Sequence, residues 1–285
     1  MALALVACVG CTKKEPRGPG RVVSLQTDVV GLSGLTRDEH GALWVAGEDA
    51  DAVLRIDPET FGVTRYPVVG APEGTDLEAM TWVDGTRFVI GTETQDKGRT
   101  RDVVLDGRLE GEQFKVSPIG HLEYAHWGLT APDNHGMEGI CHVDGILVVA
   151  TELIEEARDR RWAPLATFDP KIQTWTAHRI ALTSKTGKLA ALDCRKVDGA
   201  IEALAVERHY GESRLLRFRV PQGTEGQWIE PTVAADVSKL VSPLPNFEGL
   251  AWLADGSAVL VADNQYKGAA LGPSRLYFIP ASAMQ

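Results

Sequence analysis

Apolar and polar residues alternate along most of this chain in short runs broken by glycine turns, the period-2 signature of half-buried strands. No long apolar period of 3.6 appears, and "ELIEEARDRR" (Glu152–Arg161) allows at most a short helix. The alternation is organised into a repeat. "DLEAMTWVDGTRFVIGTE" (Asp76–Glu93), "GMEGICHVDGILVVATE" (Gly136–Glu152) and "NFEGLAWLADGSAVLVADN" (Asn246–Asn264) each read as two apolar strands around a glycine turn. Two weaker copies are "GLSGLTRDEHGALWVAGED" (Gly31–Asp49) and "ALDCRKVDGAIEALAVER" (Ala191–Arg208). The turns centre on Gly41, Gly85, Gly145, Gly199 and Gly256, separated by 44, 60, 54 and 57 residues. That spacing suits four-stranded blades.

Two further strands follow each hairpin: "AVLRIDPE" and "VTRYPVVG", "APLATFDPK" and "TWTAHRIAL", "SRLLRFRV" and "WIEPTVAADV", with Asp57-Pro58 and Asp169-Pro170 as turn formers. The last unit ends after its third strand, "SRLYFIP". The N-terminal "RVVSLQTDV" (Arg21–Val29) has no hairpin partner nearby. The pattern predicts an all-β fold, a five-bladed β-propeller in which the N-terminal strand completes the last blade and hides both sheet edges. A sixth blade around "HLEYAHWGLTAPDNH" is the alternative left open, although it would need four strands in too few residues.

The repeat also places acids inside apolar runs. Glu78, Glu138 and Glu248 lie early in the first strand, where the weaker copies carry Ser33 and Leu192 or Asp193. Glu48, Glu93, Glu152, Glu207 and Asp263 end the second. Positions equidistant from a hairpin turn face one another, so Glu78 and Glu93, Glu138 and Glu152, and Glu248 and Asp263 are expected side by side at one mouth of the axial channel. Packed like charges need an offset. Three remain open: a hard cation such as Ca²⁺ with Asn134, Asn246 and Asn264 nearby, hydrogen bonds from backbone amides, or arginines such as Arg99, Arg101, Arg160, Arg161, Arg208 and Arg275. His135, three residues before Glu138, is a candidate general acid or base; a solvated loop histidine is the plainer alternative. His121, His126 and His142 lack zinc-motif spacing, and there is neither a Gly-x-Ser-x-Gly elbow nor a P-loop. Trp82 and Trp252, each four residues after a repeated glutamate, are expected to pack between blades.

Composition narrows the classes further. With 44% hydrophobic and 24% charged residues the chain suits one large core, and a net charge of −10 without acidic blocks argues against nucleic acid as a partner. The N-terminal "MALALVACVGC" is too short to span a bilayer but matches the apolar part of an export signal, and "LVAC" resembles a lipobox. The expected organisation is a lipoprotein-type signal segment over residues 1–11, with Cys8 or Cys11 lipidated, a linker over 12–20 and one propeller domain over 21–285. A short tail without targeting function is the alternative. Export to a bacterial cell envelope would put Cys141 and Cys194 in an oxidising compartment; a bridge is geometrically open, although two separate buried thiols are the plainer expectation.

At "NHGMEGICHVDGILVVATE", "NFEGLAWLADGSAVLVADN" and "LAVERHYGESRLLRF" the sequence resembles the esterase-like phytase family, and more loosely the SdiA-regulated and gluconolactonase-type propellers. The resemblance covers Arg21 to Pro280. It implies an exported propeller acting as an ester hydrolase, a divalent cation in the channel, Glu78, Glu138 and Glu248 as channel acids, and Glu93, Glu152, Glu207 and Asp263 as their partners. Ser33 and Leu192 depart from a full ring of acids. The expectation is a lipid-anchored, calcium-assisted hydrolase of phosphate or carboxylic esters, acting as a monomer through Glu138 and His135. The rival is a non-enzymatic envelope propeller binding a protein, glycan or small ligand at its rim, with "EYAHWG" (Glu123–Gly128) as contact loop.

Overall fold

The computed structural model describes residues 20–49, 51–94, 96–132, 135–157, 160–266 and 269–284. Cys8, Cys11 and Asn134 therefore lie outside the described residues. Strand β1 spans Arg21–Ser24. The first unit holds β2 (Leu32–Arg37), β3 (Leu43–Gly47), β4 (Ala52–Ile56) and β5 (Val63–Val69). The second holds β6 (Thr75–Asp84), β7 (Arg87–Thr94), β8 (Arg101–Glu110) and β9 (Gln113–Glu123). In the third, β10 (Met137–Val143) and β11 (Ile146–Thr151) precede β12 (Glu155–Ala157), β13 (Arg160–Asp169) and β14 (Thr174–Ala181). The fourth contains β15 (Lys188–Val197), β16 (Ala200–His209), β17 (Glu212–Val220), β18 (Trp228–Ile229) and β19 (Thr232–Asp236). The fifth contains β20 (Asn246–Trp252), β21 (Ala258–Asp263), the short pair β22 (Gln265–Tyr266) and β23 (Ala269–Ala270), and β24 (Arg275–Ile279).

Turn chemistry explains the hairpins. Asp144-Gly145 and Asp198-Gly199 hold consecutive positive φ values of 52° and 84°, and 49° and 79°, as two-residue hairpins with the twist of their strands require. In the longer first turn, Asp38 accepts hydrogen bonds from the amides of His40 and Ala42, both at 2.9 Å, and from the Trp44 indole.

The sheets depart from five separate four-stranded units. The fourth and fifth follow the expected order, β15-β16-β17-β19 and β20-β21-β24-β1. The first two are joined into one eight-stranded sheet because their outer strands meet in parallel, Val68 opposite Phe114 and Val69 opposite Lys115. Likewise Trp228–Ile229 leaves its own unit to pair in parallel with β14. In both places an outer edge strand finds a partner next door, as unpaired edges tend to do. The segment allowed a helix forms instead a strand, Glu155–Ala157, on β13. "HLEYAHWG" adds no sheet: it ends β9 and turns through a 3₁₀ helix, Tyr124–Trp127. Strand β1 pairs antiparallel with β24 from Arg21 opposite Phe278 to Ser24 opposite Arg275. Among the described residues no helix is long and apolar enough to cross a membrane.

The inner strands β2, β6, β10, β15 and β20 pack each against the next, and β20 packs against β2. Buried apolar clusters lie between successive units rather than within them. Trp252, for example, packs among Ala190, Leu204 and Leu215 of the fourth unit, and Trp82 against Trp44 of the first. Cys141 and Cys194, on neighbouring inner strands, are joined in a disulfide with 5.7 Å between Cα atoms, which replaces the expected pair of free thiols.

Each inner strand carries a β-bulge at the same height: Gly34, Glu78, Glu138, Ala190 and Glu248 fall between the shifted registers. Small residues there and just beyond let backbones approach closely. A Cβ on Gly249 would lie 2.8 Å from the Leu35 amide nitrogen, and one on Gly139 2.8 Å from that of Leu192. Gly249→Ala is therefore expected to cost about 1–3 kcal/mol by overpacking, read as a Tm lowered by several degrees, whereas Gly120→Ala, where a Cβ meets open space, has no clash to relieve and leaves Tm unlowered.

Candidate functional site: an acidic mouth on the axis

Inner strands enter the axis at their N-terminal ends, and here the acids collect. The bulges change which residues meet. Asp76, not Glu78, stands opposite Glu93, and Asn246, not Glu248, stands opposite Asp263. Glu152 donates its amide to the Gly136 carbonyl at 3.1 Å. Glu78, Glu138 and Glu248 sit on the bulges themselves, 7%, 5% and 6% exposed, so the extra residue aims each carboxylate at the axis. The side-by-side pairs expected from equidistance thus become a deeper layer of bulge acids beneath an outer layer. The first-strand equivalents in the weaker copies are Gly34 and Ala190 rather than Ser33 and Leu192 or Asp193. Ser33 instead ties two neighbouring strands, because its hydroxyl donates to the Glu78 carbonyl at 2.6 Å and lies 3.3 Å from that of Glu248.

The mouth is electrically lopsided. On one side, Asp76, Glu78 and Glu93 each place a carboxylate oxygen within 4.8 Å of the others. One Glu93 oxygen is buried without a hydrogen-bond partner. Burial, then Glu48, Glu93 and Glu248, push Glu78 well above the usual carboxylate range. Burial, then Glu78 and Glu248, do the same to Glu138. Glu93 is pushed up to about 7 by burial and the charge of Asp76, against the pull of Arg99. Glu48 is raised to about 8 by burial, Asp263 and Glu248, although its Oε2 accepts the Gln265 amide at 2.5 Å.

On the other side the fourth unit, which lacks a bulge acid, supplies cations. Lys188 is ion-paired with Glu152. Arg208 is paired with Glu248, its Nε donating at 3.3 Å to Oε2 and at 3.0 Å to the Phe247 carbonyl, and lies 4.0 Å from Glu152. Asn246 bridges the layers, donating to Glu248 at 2.8 Å and to Asp263 at 3.3 Å. Burial lowers the Lys188 ammonium, with Arg208 adding to the shift.

Other expected members stand elsewhere. Glu207 is 1% exposed but turned toward the loop that joins the third and fourth units, accepting from the Ser184 amide and hydroxyl at 2.9 Å each and from the Thr183 amide at 3.0 Å. Asn264 donates to the Gly272 carbonyl at 2.6 Å, within its own loop. His135 reaches the rim with its Nε2 3.9 Å from Glu152, and its carbonyl accepts from Arg99 at 2.6 Å. Arg99 also grips Asp102 with two bonds, 2.5 and 3.1 Å. Tyr124 donates to Asp102 and is fully buried, and Trp127 is 7% exposed with its indole bonded to the His178 carbonyl. The expected contact loop is thus packing, not surface, because its aromatics fill the seam between the second and third units. Sequence reasoning passed over Asp76, Lys188 and the separate role of Arg208; the bulge that brings Asp76 into line leaves no mark in the alternation.

Because burial and like charge raise these carboxyls, the folded metal-free protein binds protons that the unfolded chain releases above about pH 4.5. Their contribution is present below that pH and lost as pH rises through the folded values, about 7 for Glu93 and about 8 for Glu48. With EDTA present, Tm should fall by roughly 5–10 °C between pH 5 and pH 8. Glu48→Gln should flatten that fall when followed by circular dichroism.

Known proteins place this geometry in context. A glucose dehydrogenase described as a putative oxidoreductase from Thermus thermophilus superposes with a TM-score of 0.50 at 10% identity, covering 92% of this chain and 100% of that one. Another glucose dehydrogenase gives 0.50 at 12% identity, covering 92% and 99%. At such identities the likeness is one of fold, all-β and propeller-like. No curated protein matches the chain. The model of the Phytase-like family, described as the esterase-like activity of phytase, matches residues 27–266, through both layers of acids and both cations. The chain belongs to the Phytase-like family.

Proposed function

We propose that the acidic mouth is a hydrolytic site for phosphate or carboxylic esters that works with a bound divalent cation, calcium by its donor chemistry. The observation that carries this reading is the convergence of Asp76, Glu78 and Glu93 with a buried Glu93 oxygen left without a partner. The donors are all hard oxygens, without thiolate or imidazole among them, a set that suits Ca²⁺ over zinc or copper. A cation also removes the electrostatic cost that these carboxyls otherwise meet by holding protons. When bound, it would supply Lewis-acid polarisation of the ester.

This chain's own residues do the rest. Glu138 lies among the bulge acids and within the field of Arg208, which favours its ionised form; once ionised by the charge of Arg208 and of a bound cation, it is the general base that draws a proton from water. Lys188 and Arg208 attract the anionic part of a substrate and orient it across the mouth. His135, held at the rim through its carbonyl by Arg99, is positioned to exchange protons with Glu152 and the solvent.

The frame we propose is a closed five-bladed propeller, with the ring of inner strands and the pairing of β1 with β24 in support. Export to a cell envelope, with lipid on Cys8 or Cys11, is part of the same proposal; the Cys141–Cys194 disulfide favours an oxidising compartment.

The test uses p-nitrophenyl phosphate and p-nitrophenyl butyrate with the full chain in Ca²⁺ or in EDTA. Turnover of one ester should require the cation. Glu138→Gln should lose about 100-fold or more in kcat while keeping the calcium-induced rise in Tm, and Glu78→Gln should lose both. Unchanged turnover in Glu138→Gln would remove that acid from the mechanism. A calcium-induced rise in Tm without hydrolysis of either ester would count against the hydrolase reading.

A further inference from the structure

The axis has a second mouth. The C-terminal ends of all five inner strands enclose a cavity of about 330 Å³, bordered by Arg37, Trp82, His142, Asp193 and Trp252. It is separate from the acidic mouth. Between the two, Leu35, Met80, Ile140, Leu192 and Leu250 close the axis, leaving no room for a water. A cavity of this size suits a metabolite-sized ligand.

Its wall is rich in donors. The Arg37 side chain makes no hydrogen bond or ion pair among the described residues, though its charge acts on Asp193. The Thr36 hydroxyl oxygen already accepts the Trp82 amide at 3.0 Å, leaving its proton to donate. His142 accepts the Gly145 amide on Nε2 at 3.1 Å, which puts the proton of the neutral ring on Nδ1. The acid in the wall is already served: Asp193 accepts from the Trp252 amide at 2.6 Å and the Cys194 amide at 2.7 Å. Arg195 is spent as well, stacked 3.6 Å from the Trp252 ring centroid and bonded to Glu202 at 3.0 Å. What remains is one unpaired guanidinium, two further donors and the half-buried indole of Trp82.

We propose that this second mouth binds a small organic anion, a carboxylate or phosphate carried on a flat ring, with Arg37 pairing the charge and Trp82 stacking on the ring. A planar guanidinium matches such an anion through two parallel N–H bonds, and the indole supplies flat apolar area beside it. The mouths then differ in kind: the acidic one takes a cation, and this one takes an anion, independent of whether the first is hydrolytic.

Phenylphosphonate, which cannot be hydrolysed as an ester, is the probe. It is titrated calorimetrically into the full chain in EDTA, so that no divalent cation at the acidic mouth can bind it. The expected result is saturable one-to-one binding, weakened at least tenfold by Arg37→Gln and by Trp82→Leu and unchanged by Glu78→Gln. If Arg37→Gln does not fold, Arg37→Lys replaces it, keeping the charge but losing the fork, and should weaken binding severalfold. Absence of saturable binding, equal affinity in the Arg37 variant, or a changed affinity in Glu78→Gln would each overturn the proposal, the last by placing the probe at the acidic mouth.

Discussion

The approach of five inner strands to one axis is the constraint on which the rest of the structure depends. Strands that converge so closely meet backbone to backbone, so a Cβ on Gly34, Gly139 or Gly249 would press on the neighbouring strand at Ala79 and Met80, at Leu192 or at Leu35. The same crowding is met by a bulge in every inner strand at one height. A bulge re-aims a side chain, and in three strands that side chain is a glutamate. The convergence of these strands thus accounts for both the packed centre and the carboxylates gathered beside it.

Those carboxylates are tolerable because their surroundings are uneven. Lys188 and Arg208 neutralise Glu152 and Glu248, while Asp76, Glu78 and Glu93 face one another with Arg99 already committed to Asp102. A symmetric ring would have called for a structural tie repeated in every unit. Burial raises Glu248 and Asp263 as well as Glu78 and Glu93, but Arg208 and Lys188 draw Glu248 back down, whereas neighbouring carboxylates add to the rise of Glu78. The Ser33 hydroxyl and the Asn246 amide hold the backbones and carboxylates that border the half without matched cations, so a change of charge there meets a prepared frame.

Much of this was legible in the chain. Period-2 alternation and Asp-Gly turns give the hairpins, and the missing last strand points to β1 pairing with β24. The repeated Glu78, Glu138 and Glu248 mark the mouth. What the alternation hides follows from the bulges. One extra residue shifts facing positions, so Asp76 meets Glu93 and Gly34 and Ala190 become the counterparts of the glutamates. Edge pairing is equally silent, because the contact of β5 with β9 depends on how neighbouring units lean together rather than on either sequence. Glu207 shows the opposite error: its place in the repeat suggests the channel, whereas the Thr183-Ser184 turn, outside the repeat, takes its carboxylate.

The central claim is our proposal that Asp76, Glu78 and Glu93 together hold a divalent cation. Anomalous diffraction from crystals of the full chain grown with Ca²⁺, with data collected at a wavelength where calcium scatters anomalously, tests it most directly. One peak is expected among the carboxylates of Asp76, Glu78 and Glu93, and it should disappear in Glu78→Gln. A peak elsewhere with none at this trio, or no ordered calcium at saturating concentration, would contradict the claim and leave the acids as protonated ties of the fold.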